Sequence, residues 1–402
     1  MSEAPQLYMS AKEAAAELGV TSATLYTYVS RGIIRAQRQP GERTSRYWRT
    51  DVEVLRHDRA ARGRQLELGQ SSRITLITER AVFYRGRDVA ELAEAETFEA
   101  VAALLWQVDE RDAFGDWFPT LPTDYPARLS ALDYMGASER FVSLGAAVEK
   151  AEPRLFDLAP AAFARGGAAA IRWYASLLCG MHEPPFEPLH TVLAARVDPG
   201  WADIVRRLLV LSADHDLDPS TLTVRAVANT GVTPFRVIMA GLISASGRRA
   251  GFGRVGPAAR LLDEVLTAAD PTTPIVHRLR AGEDIPGFGP KVYAGADPRA
   301  DALITAIANA FEGDPEVRRL LSAIRVVREA VQLEPDFALM HLFVCRRLGL
   351  GNQESGILRL PRMAGWIAHA MEQYQDHELL RPRADYRGPL PEATFEAGSG
   401  PV

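Results

Sequence analysis

Residues 73 to 106 read RITLITERAVFYRGRDVAELAEAETFEAVAALLW, and a change of period inside this stretch decides the character of most of the chain. Two short runs rich in β-branched and aromatic residues flank a charged turn, which is the pattern of a hairpin. After them, apolar residues return every three or four positions, as on one face of a helix. Little of the sequence beyond residue 106 reads as strand. The body is therefore expected to be mainly helical.

Upstream, AARGRQLELGQSS from 60 to 72 mixes charge, Gly and Ser and reads as a linker. Before it lies YMSAKEAAAELGVTSATLYTYVSRGIIRA, two short helical patterns around a glycine. Ser10 followed by Glu13 forms a capping box, Ala14, Ala15 and Leu18 make an apolar face, and Gly19 ends the first helix. Thr21 or Ser22 caps the second, which carries Leu25, Tyr28 and Val29 and stops at Gly32. Two helices joined by a short glycine-containing turn make a helix-turn-helix pattern. The following IIRAQRQPGERTSRYWRTDVEVLR reads as a strand, a PGE turn, a second strand and a helix opened by Thr50 or Asp51, hence a wing.

Charge divides in the same place. Residues 1 to 64 hold 11 Lys and Arg against 7 Asp and Glu, a formal +4, which leaves −9 for the rest of a chain whose total is −5. A basic head on an acidic body points to a polyanion as the head's partner. With 402 residues, 47% of them hydrophobic and 24% charged, the composition is that of a globular protein of two or three folded units. No stretch reaches the roughly 18 apolar residues of a membrane span. MSEAPQLYMS lacks the basic and apolar regions of a signal peptide, so a cytoplasmic protein with no membrane partner is expected. Cys179 and Cys345 sit in apolar runs as small hydrophobes, and neither a disulfide framework nor a metal site is expected.

The order of helices and wing resembles the winged helix-turn-helix head of the MerR and excisionase families, over about the first 60 residues. The resemblance implies duplex DNA as a partner. Ser22, Thr24, Tyr26 and Thr27 would then meet bases or phosphates, and Arg38, Arg43 and Arg46 phosphates. A small module that docks only on proteins is the alternative.

YRGRDVAELAEAETFEAVAALLW, LSADHDLDPST (211 to 221), IPGFG (285 to 289), ADPRA (296 to 300), EPDF (334 to 337), LPRMAGWIAHAMEQ (360 to 373) and LLRPRADYRGP (379 to 389) together resemble the citrate synthase family, in its order and near its spacing, over about 320 residues. The resemblance implies a mainly α fold with a large helical domain and a small lid domain, behind the winged helix-turn-helix. The expected divisions are 1–66 for the head, 67–392 for the body and 393–402 for a tail. Within the body the large part covers about 67–248 and 352–392, and the small part about 249–351. It also implies a homodimer, and condensation of an acyl-CoA with oxaloacetate or a related acid.

That chemistry needs a base beside the thioester, a donor for the enol oxygen and cations for the carboxylates. By resemblance His215 and Arg299, Arg362 and Arg381 form the anion cage, Arg381 reaching across the dimer. Asp336 matches the base, while a carboxylate there equally serves as the N-cap of FALMHLF. The two remaining family histidines are replaced. GRRAG at 247 to 251 aligns with GPLHG and places Ala250 at one. PGFGP places Pro290, which has no donor at all, at the other. His182 and His277 flank these segments most closely, and Lys291 follows Pro290.

GRRAGFGR (247 to 254) lacks the GK[ST] ending of a nucleotide loop. Arg248, Arg249 and Arg254 either grip an anion such as a CoA phosphate or belong to a basic loop at a domain hinge. Three functions follow: a DNA-binding regulator whose inactive body binds oxaloacetate, citrate or an acyl-CoA; an active citrate or 2-methylcitrate synthase with rearranged donors; or an inactive subunit paired with an active, paralogous citrate synthase. No cofactor is expected beyond acetyl-CoA or another acyl-CoA as substrate or ligand.

Overall fold

A computed structural model describes residues 8–38, 44–53, 55–56, 71–249, 252–289, 292–293, 295–349, 354–375 and 388. The chain forms two compact units, one including the N-terminal residues through Ser71 and the other running from Ser72 to Leu379.

In the N-terminal unit, local chemistry sets the helix ends. Ser10 Oγ accepts from the Glu13 amide at 3.3 Å while Glu13 Oε2 accepts from the Ser10 amide at 2.8 Å, which opens the helix Ala11–Leu18. Gly19 closes it at φ 62°, a left-handed conformation that glycine adopts without a Cβ clash. Thr21 caps the next helix, Ser22–Ser30, by accepting from the Thr24 amide. The wing strands Ala36–Arg38 and Ser45–Trp48 pair antiparallel, and Tyr8–Ser10 adds a third strand on the other edge of Ser45–Trp48. Met9, Ala14, Leu18, Leu25, Ile34, Tyr47 and Val52 form the core. One sequence expectation is corrected here. Helical structure begins at residue 49, so neither Thr50 nor Asp51 caps it. The buried Asp51 carboxylate takes the Arg35 amide at 2.8 Å and its guanidinium at 2.9 and 2.8 Å. Three donors at once, two of them on a charged guanidinium, outweigh a single capping bond.

The second unit opens with the hairpin Thr75–Ile77 and Val82–Tyr84, to which Arg87–Asp88 adds a short third strand. Helices make up nearly all the rest. Asp88 and Thr97 cap the first two, Val89–Ala95 and Phe98–Trp106, through amides two or three residues on. Pro160–Cys179, rich in Ala and Gly, is buried along almost its whole length. The main core runs from Ile74 to Ala370 and includes the fully buried Trp173, Trp201 and Trp366, while Leu261, Val265, Ile275, Ile285, Ala323 and Val327 form a smaller core of their own. Among the described residues no helix is long and apolar enough to cross a membrane.

Two glycines set the approach of Arg362–Tyr374. A Cβ on Gly241 would stand 2.4 Å from the Trp366 ring, and one on Gly365 would stand 2.1 Å from Asp214 Oδ1. Glycine at 365 lets this helix reach the buried acid on which the site is built.

Candidate functional site

The segment after Ala202–Leu211 turns inward, and Asp214 is completely buried. A buried carboxylate must be matched by donors, and Asp214 has several. Its Oδ1 takes Arg362 Nη1 at 3.2 Å. Its Oδ2 takes the Thr75 hydroxyl at 2.5 Å and the Asp216 amide at 3.0 Å, with His369 Nε2 at 3.5 Å. Burial by itself would raise this carboxyl, but its electrostatic interactions with His369 and Arg362 outweigh it and hold the group well below the usual carboxylate range. Arg362 bridges to Asp218 Oδ2 at 2.8 Å and Thr221 Oγ1 at 3.1 Å. The other oxygen of Asp218 caps the helix Pro219–Ala228.

His215 stands next to this acid. Its Nε2 shares a hydrogen bond of 2.9 Å with the Tyr293 hydroxyl. Burial, then the charges of Arg299 and Arg362, push the imidazole down to about 2, so it is neutral at physiological pH. Burial raises the Tyr293 phenol to about 12. The pair is therefore a neutral donor and acceptor flanked by two cations.

Arg299 donates to Asp297 through Nε at 3.1 Å and Nη2 at 2.7 Å, and lies 4.5 Å from the centroid of the Phe337 ring. Arg299 and Arg362 each occupy the first turn of a helix, Pro298–Ala310 and Arg362–Tyr374. The positive end of the helix dipole makes that a poor place for a buried cation unless anions surround it. Asp297, Asp214 and Asp218 supply part of that charge. Each guanidinium keeps one nitrogen, Arg299 Nη1 and Arg362 Nε, that makes no hydrogen bond to a carboxylate among the described residues.

Asp336 caps the helix Phe337–Arg347, its Oδ1 accepting from the Leu339 amide at 2.9 Å. Its loop is joined to IPGFG through the Asp336 amide to Gly287 O and the Gly289 amide to Glu334 O, both 2.8 Å. Gly287 lies at φ 87°, where side chains are strained. The segment that leads to position 290 is thus bonded to the segment that holds Asp336.

His215, Arg299 and Arg362 come together, and Phe337, next to Asp336, lies against Arg299. Arg248 and Arg249 are exposed. Ala250, Pro290, Lys291, Arg381 and Arg43 lie outside the described residues, as does the side chain of Arg254. His182 and His277 are exposed. In the N-terminal unit Ser22, Tyr26 and Thr27 are exposed and Thr24 is half-buried, its hydroxyl 3.0 Å from that of Thr21. Arg38 and Arg46 are exposed on the paired wing strands.

Sequence reasoning missed Tyr293, Asp214, His369 and His341. Asp214 was legible as the acid before His215, whereas Tyr293 carries no signal beyond its place between IPGFG and ADPRA. His341 is buried, its Nε2 has no hydrogen-bond partner among the described residues, and burial pushes it down to about 3.

Residues 169–383 match the family model described as citrate synthase, C-terminal domain. The chain belongs to the citrate synthase family. Residues 9–76 match the MerR HTH family regulatory protein model, so this citrate synthase family member carries a helix-turn-helix domain at its N-terminus. Citrate synthase 2 of Bacillus subtilis is 31% identical over 205 residues, 50% of this chain and 55% of that protein. The chain thus spans about half the length of that relative. Citrate synthase of Haloferax volcanii is 27% identical over 343 residues, 76% of this chain and 89% of that protein. Among solved structures, citrate synthase from Thermotoga maritima shares the fold with a TM-score of 0.62 at 21% identity, covering 81% of this chain and 95% of that one. The enzyme from Thermoplasma acidophilum, solved as a ternary complex with carboxymethyl coenzyme A and oxaloacetate, gives 0.63 at 20% identity, covering 81% and 96%.

Proposed function

We propose that this citrate synthase family protein is a cytoplasmic, homodimeric DNA-binding regulator whose body binds a di- or tricarboxylate without ordinary synthase turnover. The observation that carries the ligand reading is His215, neutral beside Tyr293 and flanked by Arg299 and Arg362. Neutral donors suit a keto or hydroxyl oxygen, and the guanidinium nitrogens not bonded to a carboxylate suit the ligand's carboxylates. Arg381 of the partner subunit completes the cage, and the small part of the body, about 249–351, closes over it. The loss of turnover rests on Ala250 and Pro290 standing where the family has histidines. Removing one such donor typically costs about a hundredfold to a thousandfold in rate. The DNA reading rests on the basic head with Ser22, Thr24, Tyr26 and Thr27 on one helix and Arg38, Arg43 and Arg46 in the wing.

An active synthase is the second reading, and one observation favours it. The Asp336 segment is hydrogen-bonded to IPGFG, and Phe337 packs on Arg299, which supports Asp336 as the base beside the cage. A CoA-thiol assay with oxaloacetate and acetyl- or propionyl-CoA separates the two. Calorimetric binding of oxaloacetate or citrate with no thiol release supports the regulator, whereas turnover near one per second, an ordinary enzyme rate, overturns it.

A further inference from the structure

The buried acids that hold the arginine cage also hold the first strand of the body. Asp214 takes Arg362 on one oxygen and the Thr75 hydroxyl on the other. His369 lies beside Asp214, its Nε2 3.5 Å from Oδ2, and its Nδ1 is 3.2 Å from Arg225 Nη1, which leads on to Glu372. Glu372 takes Arg225 at 2.7 Å with one oxygen and the Arg73 amide at 2.8 Å with the other. Two residues of the segment 73–77 are therefore fastened to acids of the body, Thr75 to the buried Asp214 and the Arg73 amide to the half-buried Glu372.

That segment depends on such ties. Thr75–Ile77 is a three-residue strand with Leu76 60% exposed, and among the described residues it pairs with Val82–Tyr84 on one side and lies at the sheet edge on the other. Short edge strands have little stability of their own. In the sequence it is also the first strand after the 60–72 linker, the covalent path from the helix-turn-helix to the body.

We propose that the chain Arg362, Asp214 and Thr75 relays carboxylate binding in the cage to the strand 73–77, which tightens when the ligand is bound. This rests on the ligand reading above. A bound carboxylate competes with Asp214 and Asp218 for Arg362. Asp214 remains buried, so as Arg362 turns towards the ligand the carboxylate relies more on the Thr75 hydroxyl, the Asp216 amide and His369. The two arrangements differ in which carboxylate Arg362 serves, and the ligand's differential contacts favour the second.

The test is amide hydrogen exchange on the full-length protein with and without saturating citrate or oxaloacetate, alongside calorimetry. Peptides covering 72–78 should exchange about tenfold more slowly with ligand. Thr75→Val should keep citrate affinity within about threefold of wild type and lose most of that protection, and Thr75→Ser, which retains the hydroxyl, should restore it. Ligand heat with unchanged exchange at 72–78, or equal protection in wild type and Thr75→Val, overturns the relay and leaves the ligand reading standing. No heat with either acid overturns both.

Discussion

Replacing Arg362 with alanine removes the guanidinium shared by Asp214 and Asp218, and the structure makes this a test of stability as well as of binding. Asp214 is fully buried and Arg362 nearly so. Breaking a buried pair by removing one partner typically costs about 3 to 5 kcal/mol, because the other charge stays behind. Asp214 keeps Thr75, the Asp216 amide and His369, so the lower end, about 3 kcal/mol, is expected. At about 2 °C per kcal/mol for a unit of this size, the melting temperature should fall by about 6 °C. Adding Asp214→Asn should recover about half, since the stranded charge is gone while the amide still accepts from Thr75.

The pH dependence has a definite sign. The Asp214 pKa is depressed in the fold, so its ionised form contributes stability at neutral pH, and that contribution is lost as pH falls below the unfolded value near about 3.9. Without Arg362 the carboxyl protonates at higher pH and needs no cation once neutral. The deficit of the variant should therefore narrow between about pH 5 and 3. Thermal melts of the three proteins across that range are the assay. A single variant melting within about 1 °C of wild type, or no recovery on adding Asp214→Asn, would refute the reasoning.

His215 and His341 are held neutral far below the ordinary histidine value of about 6.5. The unfolded chain binds protons there that the fold does not, so stability should fall as pH drops below about 6.5, by up to about 1.4 kcal/mol per unit for each histidine. Urea melts at pH 7.5 and 5.5 measure it, and His341→Leu should remove about half the slope. Ala250→His with Pro290→His should recover thiol release only when both are present, and more fully with Arg248→Pro and Arg249→Leu, because an imidazole displaced by about an ångström loses most of its effect. A folded, oxaloacetate-binding quadruple variant with background activity would show that the histidine losses are not the main defect. The N-terminal domain should bind duplex DNA with a steep salt dependence, and Arg38→Ala or Arg46→Ala should each lower the log–log salt slope by about one. A shift assay against the protein's own upstream region that finds no salt-sensitive binding removes the DNA reading.

Along the chain, what was legible was local. The caps at Ser10, Thr21, Asp88 and Thr97 act on amides two or three residues away, and Gly19 ends a helix by its own backbone freedom. The helix-turn-helix, the wing and the mainly helical body therefore followed from sequence, while His215, Arg299 and Arg362 were singled out by resemblance to the citrate synthase family. The partners of buried charges did not. Tyr293 meets His215 across 78 residues, Thr75 meets Asp214 across 139, and Arg362 meets the same acid across 148. Tyr8–Ser10 became a strand only because Ser45–Trp48 passed beside it. From sequence Arg362 was a cation awaiting a ligand, while in the fold it also neutralises Asp214 and Asp218. A helix cap is chosen by neighbours within one turn, but a buried charge takes whichever donors the packing of distant segments brings within about 3 Å, and only the tertiary structure decides that.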